Sequence, residues 1–228
     1  MALSTRIDGG RKARTGNRER IVAASLALFN EDGVRSVTTN HIAAHLSISP
    51  GNLYYHYRNK EEIIRAIFPR IADAVHAALT LPDATPIAAE DLGAHHITGA
   101  RALWEYRFFF RERSELLARD PLLARQYRRL HGWVIEHFVT LFRRLLAQGH
   151  MDLGDFHDDI ERVSSNAVIL WMSWLNFVTT ARPRASIERR DIVEGALQSF
   201  LTFAPFLDER FVRAVRSAIY AWADAGER

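Results

Sequence analysis

Between Thr38 and Lys60 the chain reads TTNHIAAHLSISPGNLYYHYRNK, and this stretch holds the most distinctive chemistry in the sequence. Asn52, Tyr54, Tyr55, His56 and Tyr57 crowd hydrogen-bonding, mostly aromatic side chains onto one short segment. Facing water, three tyrosines gain nothing. Pressed on a duplex, their hydroxyls can reach phosphates and their rings can lie against sugars and thymine methyls, while Asn52 can read a base edge. Lys60 then stands at the start of the next helix, where a cation and the helix N-terminal dipole together suit a phosphate. The competing expectation is that some of these groups only complete a core. It is favoured for Tyr57, and remains open for Tyr55 and for Lys60 as a solvated lysine.

These residues need a scaffold, and the local signals supply one. Two short helices, separated by Ser47, Ile48 and Ser49, read as a helix-turn-helix whose second member enters the major groove. Ser49 is its N-cap, Pro50 takes the first helical position where a missing N–H costs nothing, and Gly51 permits close approach to the backbone. Ile42, Leu46, Ile48 and Leu53 have the spacing to pack the pair onto a first helix over about Arg18–Asn30, with Ile21, Ala24, Ala27 and Leu28 inward and Gly33 closing it. Ala43 is small enough for a close crossing. A fourth helix starts at Asn59, with Glu62 completing a variant capping box, and runs to about Leu79 with Pro69 expected to kink it.

Composition supports this division. The chain has 228 residues, 48% apolar and 25% charged, which excludes disorder and fibrous structure. Cysteine is absent, which excludes disulfide scaffolds, thiol catalysis and thiolate zinc sites and suits a reducing cytoplasm. No apolar run of signal-peptide length follows the basic N-terminus, so export and membrane insertion are not expected. The charge-free stretch between Arg162 and Arg182 approaches the length of a membrane span. Its serines, asparagines and threonines dilute it, and it is read as a helix buried in protein. Net charge is +3 overall, but residues 1–66 carry ten Lys/Arg against six Asp/Glu while the remainder is nearly balanced. A polyanionic partner therefore belongs on the N-terminal part. Arg6, Arg11, Lys12, Arg14 and Arg18 form an arm able to reach a groove or the backbone, or simply to stay solvated.

The segment Arg20–Phe68, above all TTNHIAAHLSISPGNLYYHYRNKEEI, resembles the DNA-binding head of the tetracycline-repressor family of bacterial transcription regulators. Thr-Thr, Ile-Ala, Ser-Pro-Gly, Leu-Tyr-x-His-Tyr and Asn-Lys-Glu stand at that family's spacings. The turn Leu46-Ser47-Ile48-Ser49 departs from it by lacking a glycine that relatives often place there. The resemblance implies an all-α fold, with a three-helix helix-turn-helix head over residues 1–66 and a larger helical effector-binding and dimerisation body over 67–228. It implies DNA contacts from Thr39, Asn40, Gly51, Asn52, Tyr54, Tyr55 and His56, with Lys60 on a phosphate. The implied protein is no enzyme. It is a ligand-responsive homodimeric repressor in the bacterial cytoplasm, associated with the nucleoid, and its partner is a palindromic double-stranded DNA operator.

For the body, the 3.6-residue periodicity predicts helices over about Ala88–Phe110, Pro121–Gln148 (capped by Asp120 and preceded by a short helical turn), Phe156–Ala181, Ile187–Phe203 and Asp208–Asp224, after a loop at Leu81–Pro86. All five tryptophans and eleven of the thirteen phenylalanines lie beyond residue 100. Trp104, Phe108, Trp133, His137, Trp171 and Trp174 are the candidate wall of a pocket for a small apolar or aromatic effector. Phe108, Phe109 and Phe110 in succession cannot all face one side of a helix. The helix over Phe156–Ala181 is apolar nearly all round, so it must be covered on every side. A partner subunit packing on it and on the helix from Ile187 accounts for that, the alternative being the centre of a monomeric bundle.

Other chemistry is weaker. His150, Asp152, Asp155, His157, Asp158 and Asp159 offer metal-ligand types, yet they serve equally as caps and first-turn charge of a helix. His95 and His96, being adjacent, point to different helix sides. No metal site or cofactor is expected, and no nucleophile elbow, phosphate-binding glycine loop or HExxH motif occurs. The competing classes are a metal-dependent helical enzyme with a DNA-targeting head, and an effector-free architectural DNA-binding protein.

Overall fold

The computed structural model describes residues 4–81, 86–181 and 189–224, with side chains described over 16–81, 86–180 and 190–222. Among the described residues the fold is all-α: α1 (Ser4–Asp32), α2 (Thr39–His45), α3 (Pro50–His56), α4 (Lys60–Leu79), α5 (Ala89–Glu105), α6 (Arg107–Arg119), α7 (Pro121–Ala147), α8 (Ile160–Ala181), α9 (Arg189–Leu201) and α10 (Glu209–Asp224). A 3-10 helix, Gly154–Asp159, precedes α8, and one isolated antiparallel bridge joins Met151 to Leu207. No described helix is long and apolar enough to cross a membrane.

Several boundaries differ from those the sequence suggests. α1 begins at Ser4 rather than near Arg18, and its buried residues are Ile21, Val22, Ala24, Ser25 and Phe29, leaving Ala27 exposed. The side chains of Arg6, Arg11, Lys12 and Arg14, and most of the loop Leu81–Pro86, lie outside the described residues. α4 runs unbroken through Pro69. The amide hydrogen bond lost there is outweighed by burial of Ile63, Ile64, Ile67, Phe68 and Ile71 along one side, each worth about 1.5–3 kcal/mol.

The expected helix over Ala88–Phe110 is two helices. The chain leaves helical geometry at Tyr106 and restarts as α6. Phe108, Phe109 and Phe110 are all buried, joined edge to face at 6.4 and 5.5 Å between ring centroids. The short helical turn expected before Pro121 is thus the end of a full helix.

The chain divides into two compact units. The first takes residues 1–71 and 112–124, and the second takes residues 72–111 and 125–228. The first unit's core is Ile21, Val22 and Phe29 of α1, Val34 and Val37, Ile42 and Ala43 of α2, Leu53 of α3, and the buried side of α4. Leu46 and Ile48 are only half-buried. In the second unit α5 packs on α8, α9 and α10. Small residues permit this: a Cβ on Gly93 would stand 2.7 Å from that of Ala218, and one on Gly99 would stand 3.1 Å from Trp171 Nε1.

Candidate nucleic-acid interface

Each helix of the α2–α3 pair is started by a side chain. Thr38 Oγ1 accepts from His41 N at 3.2 Å and Ser49 Oγ accepts from Asn52 N at 3.2 Å, with Pro50 at the first position of α3. The turn is closed by Leu46 N donating to Ile42 O and by Ile48 N donating to Ala43 O. It requires a left-handed residue, and Ser47 fills that position with φ +53°. The missing glycine therefore leaves the turn geometry in place and raises its cost, by about 1 kcal/mol for a residue with a Cβ.

Leu53 anchors α3, and everything aromatic around it sorts by burial. Tyr57 is in the core, as expected of a residue that completes it. Arg18 Nε donates to its hydroxyl at 3.1 Å and the guanidinium lies 4.9 Å from the ring centre. Burial pushes the Tyr57 hydroxyl pKa up, and the Arg18 bond partly offsets it. Arg18, itself exposed, thus ties α1 to the end of α3. Tyr54 and Tyr55 point outward, 48% and 68% exposed, alongside exposed Gly51 and Asn52, while half-buried His56 sets its ring edge-on to Tyr55 at 5.3 Å. The Tyr54 hydroxyl lies 3.0 Å from Thr39 Oγ1, which ties α3 to the first residue of α2. Asn40, beside Thr39, is exposed. An exposed face of this kind offers hydroxyl, amide and imidazole groups around two solvent-facing rings.

Lys60 has work inside the unit. Its ammonium donates to the carbonyls of Val34 and Val37, at 2.8 Å for the latter, and so holds the α1–α2 connection. Burial lowers its pKa, opposed by Glu61. An ammonium has three donors, and these two carbonyls use two of them.

Sequence reading misses what else braces the head. Glu112 Oε1 accepts from Val34 N at 2.9 Å, directly after the left-handed Gly33, and Arg35 meets Glu115 at 3.2 Å. Asp120 pairs with Arg65 of α4 while capping α7, its Oδ1 accepting from Leu122 N at 3.0 Å and Leu123 N at 3.1 Å. Asp120 is legible as a cap; its second partner, 55 residues away, is not.

Of the six candidate pocket residues, Trp133, His137 and Trp171 are linked through the ring of Phe138. Trp133 stacks on His137, with centroids 5.2 Å apart and planes at 20°. Trp171 meets Phe138 at 6.5 Å. Trp174 lies over Gly195 and Phe177, Trp104 carries the Arg107 guanidinium at 4.1 Å, and Phe108 is enclosed beside Phe109. Residues the sequence reading set aside join this set: His95 Nε2 lies 3.2 Å from His137 Nε2, and His96 is buried next to it.

In the 150–159 stretch, His150 Nδ1 faces Asp208 at 3.1 Å, Asp152 accepts from Gly154 N at 2.8 Å, and Asp159 pairs with Arg162. Among the described residues, no three His, Cys, Asp or Glu side chains converge where a metal ion could sit.

Comparison with known proteins extends over both units. The family described as bacterial regulatory proteins of the tetR family matches residues 21–67, and that described as bacterial transcriptional repressor matches residues 70–215. The class D tetracycline repressor of Escherichia coli is 35% identical over 91 residues, 40% of this chain and 41% of that protein, so the chain aligns with about two fifths of that relative's length. A transcription regulator of Staphylococcus aureus is 36% identical over 63 residues, 28% of this chain and 34% of its own. Among solved structures, a TetR-family regulator from Marinobacter aquaeolei matches with a TM-score of 0.76 at 34% identity, covering 91% of this chain and 97% of that one. SmeT, the repressor of a multidrug efflux pump of Stenotrophomonas maltophilia, shares the fold at 21% identity with a TM-score of 0.58 over 85% of this chain and 92% of its own.

Proposed function

The chain belongs to the tetracycline-repressor family of bacterial transcription regulators, and on that premise we propose that it is a cytoplasmic homodimeric repressor. It binds a palindromic DNA operator through α2 and α3 and is released by a small, largely apolar effector held in the second unit. Its relatives are regulators rather than enzymes. The observation that carries the reading is the exposed face of α3, where Gly51, Asn52, Tyr54 and Tyr55 stand outside a core that holds Leu53 and Tyr57. Thr39, Asn40 and His56 extend that face, and the third donor of Lys60 serves a phosphate.

One head buries too little surface for tight specific binding, so two copies on a two-fold operator are required. A dimer face is available. Ile169 and Phe177 of α8 are 62% and 68% exposed, and Leu201 of α9 is exposed as well. Apolar side chains of this size left facing water mark a surface that a partner covers. The effector acts by changing the spacing of the two recognition helices, and α4, continuous from Lys60 to Leu79, is the route.

The test is selection of bound fragments from genomic DNA by the full chain, followed by titration of the recovered site. The expected result is an inverted-repeat site, bound with a steep loss of affinity as salt rises. Equal binding to every fragment favours the architectural alternative, and absence of DNA binding at low ionic strength removes the reading altogether.

A further inference from the structure

Within the second unit, three imidazoles occupy positions where a helical core ordinarily places hydrocarbon. His95 and His96 of α5 are both buried, and His137 of α7 brings its Nε2 to 3.2 Å from His95 Nε2. In that contact one ring donates and the other accepts, which uses one nitrogen of each. His95 Nδ1 and His96 Nε2 are left shut off from water with no hydrogen-bond partner among the described residues. A buried ring nitrogen without a partner forfeits its hydration and gains nothing in return, so leucine or phenylalanine would serve the fold better at both positions.

The rings are arranged as a ladder from a half-buried end to an enclosed one. His76 sets its edge on Trp133 at 4.2 Å, and Trp133 stacks on His137. His137 stacks on His95 at 5.4 Å with planes at 15°, and His95 meets His96 edge to face at 5.2 Å. His76, Trp133 and His137 are half-buried, whereas His95 and His96 are fully enclosed, His96 lying 5.7 Å from Phe200. Burial keeps His95, His96 and His137 uncharged at neutral pH. The pKa falls to about 3 at His96 and to about 4 at His137, and at His95 it lies well below the usual value.

We propose that His95 and His96 are the polar contacts of the effector site, and that the effector is a neutral aromatic molecule bearing a hydroxyl, which it places on the buried nitrogens of these two rings. This rests on the reading of the second unit as the effector-binding one. A hydroxyl fits because it both donates and accepts, and so satisfies either tautomer of a neutral imidazole. A carboxylate would have to shed its hydration against uncharged rings. A plain hydrocarbon would leave both nitrogens as they are.

Phenol and toluene, equal in size and differing in one group, make the test, with benzoate as the charged counterpart. Each is titrated calorimetrically into the full-length protein carrying 15N-labelled histidine. Phenol is expected to bind at least tenfold more tightly than toluene and benzoate, and to move the ring-nitrogen resonances of His95 or His96. In His96→Leu the order of phenol and toluene reverses while the melting temperature holds or rises, because an unpartnered polar group has been replaced by hydrocarbon. The proposal is overturned if toluene or benzoate matches phenol on the wild-type chain, if none of the three binds, or if phenol binds without moving those resonances. Operator binding by the same preparations reads the regulator assignment separately. A chain that binds its operator but not phenol loses only this inference, whereas one that never binds DNA loses the broader reading.

Discussion

The two units use aromatic rings in opposite ways. In the first, Tyr57 is the one tyrosine taken into a mostly hydrocarbon core, and Tyr54 and Tyr55 stand outside it; in the second, the imidazoles of His95 and His96 are fully enclosed, with half-buried His137 against them. Side chains that sit on top of a finished core can change with little effect on stability. Those enclosed within a core cannot, because any substitution there alters the packing and hydrogen bonding of the fold.

The sharpest way to break this contrast is to attack a brace of the head rather than its surface. Asp120→Ala removes the partner of Arg65 and the cap of α7 at once, and a loss of about 3–5 kcal/mol is expected in urea denaturation. A loss below about 1 kcal/mol would show that the pair is ornamental.

Acid separates the units next. In the folded chain His96 has its pKa depressed to about 3, so its neutral form is favoured by folding. Its contribution is fully present above the unfolded value of about 6.5 and is lost as pH falls toward 3. Circular dichroism of urea unfolding at stepwise lower pH should show stability dropping by about 3 kcal/mol from this residue alone by pH 4, and His96→Leu should flatten that dependence.

Tyr54→Ala addresses the surface. It should cost the operator complex about 1–3 kcal/mol and blur sequence choice while leaving the melting temperature within a degree or two. Unchanged operator affinity would remove α3 from the groove. Ser47→Gly relieves the left-handed turn and should stabilise the chain by about 0.5–1 kcal/mol in the same urea assay. The finest distinction concerns Lys60. Lys60→Met should lower stability by freeing the Val34 and Val37 carbonyls, and should reduce the slope of log affinity against log salt by about one. An unchanged slope would confine Lys60 to the α1–α2 connection.

The sequence was most readable where the physics is local. Thr38, Ser49 with Pro50, and Asn59 with Glu62 act over three residues, Asn59 Oδ1 accepting from Glu62 N at 2.9 Å, and each announces its helix. The break at Tyr106 has no glycine or proline to mark it. The segment 112–124 joins the first unit through Val34 N and Arg65, pairings across 78 and 55 residues that no local pattern encodes. Adjacency alone places His95 and His96 on different sides of a helix, which argues against a shared role. That argument assumes a helix with one wet side, and α5, approached closely at Gly93 and Gly99, buries both of them. The small residues of α5 were the available clue. For the candidate site, the outward set on α3 was legible from residue type, and the internal commitments of Lys60 and Arg18 were not, because they depend on which backbone carbonyl or ring folds within reach.

All five tryptophans belong to the second unit, at positions 104, 133, 171, 174 and 222, and the first unit has only tyrosine as a chromophore of its own. Light absorbed at 295 nm is therefore blind to the DNA-reading helices. A change in indole emission when a duplex is added reports on the second unit, which gives an unlabelled protein a built-in optical gauge of what DNA does there.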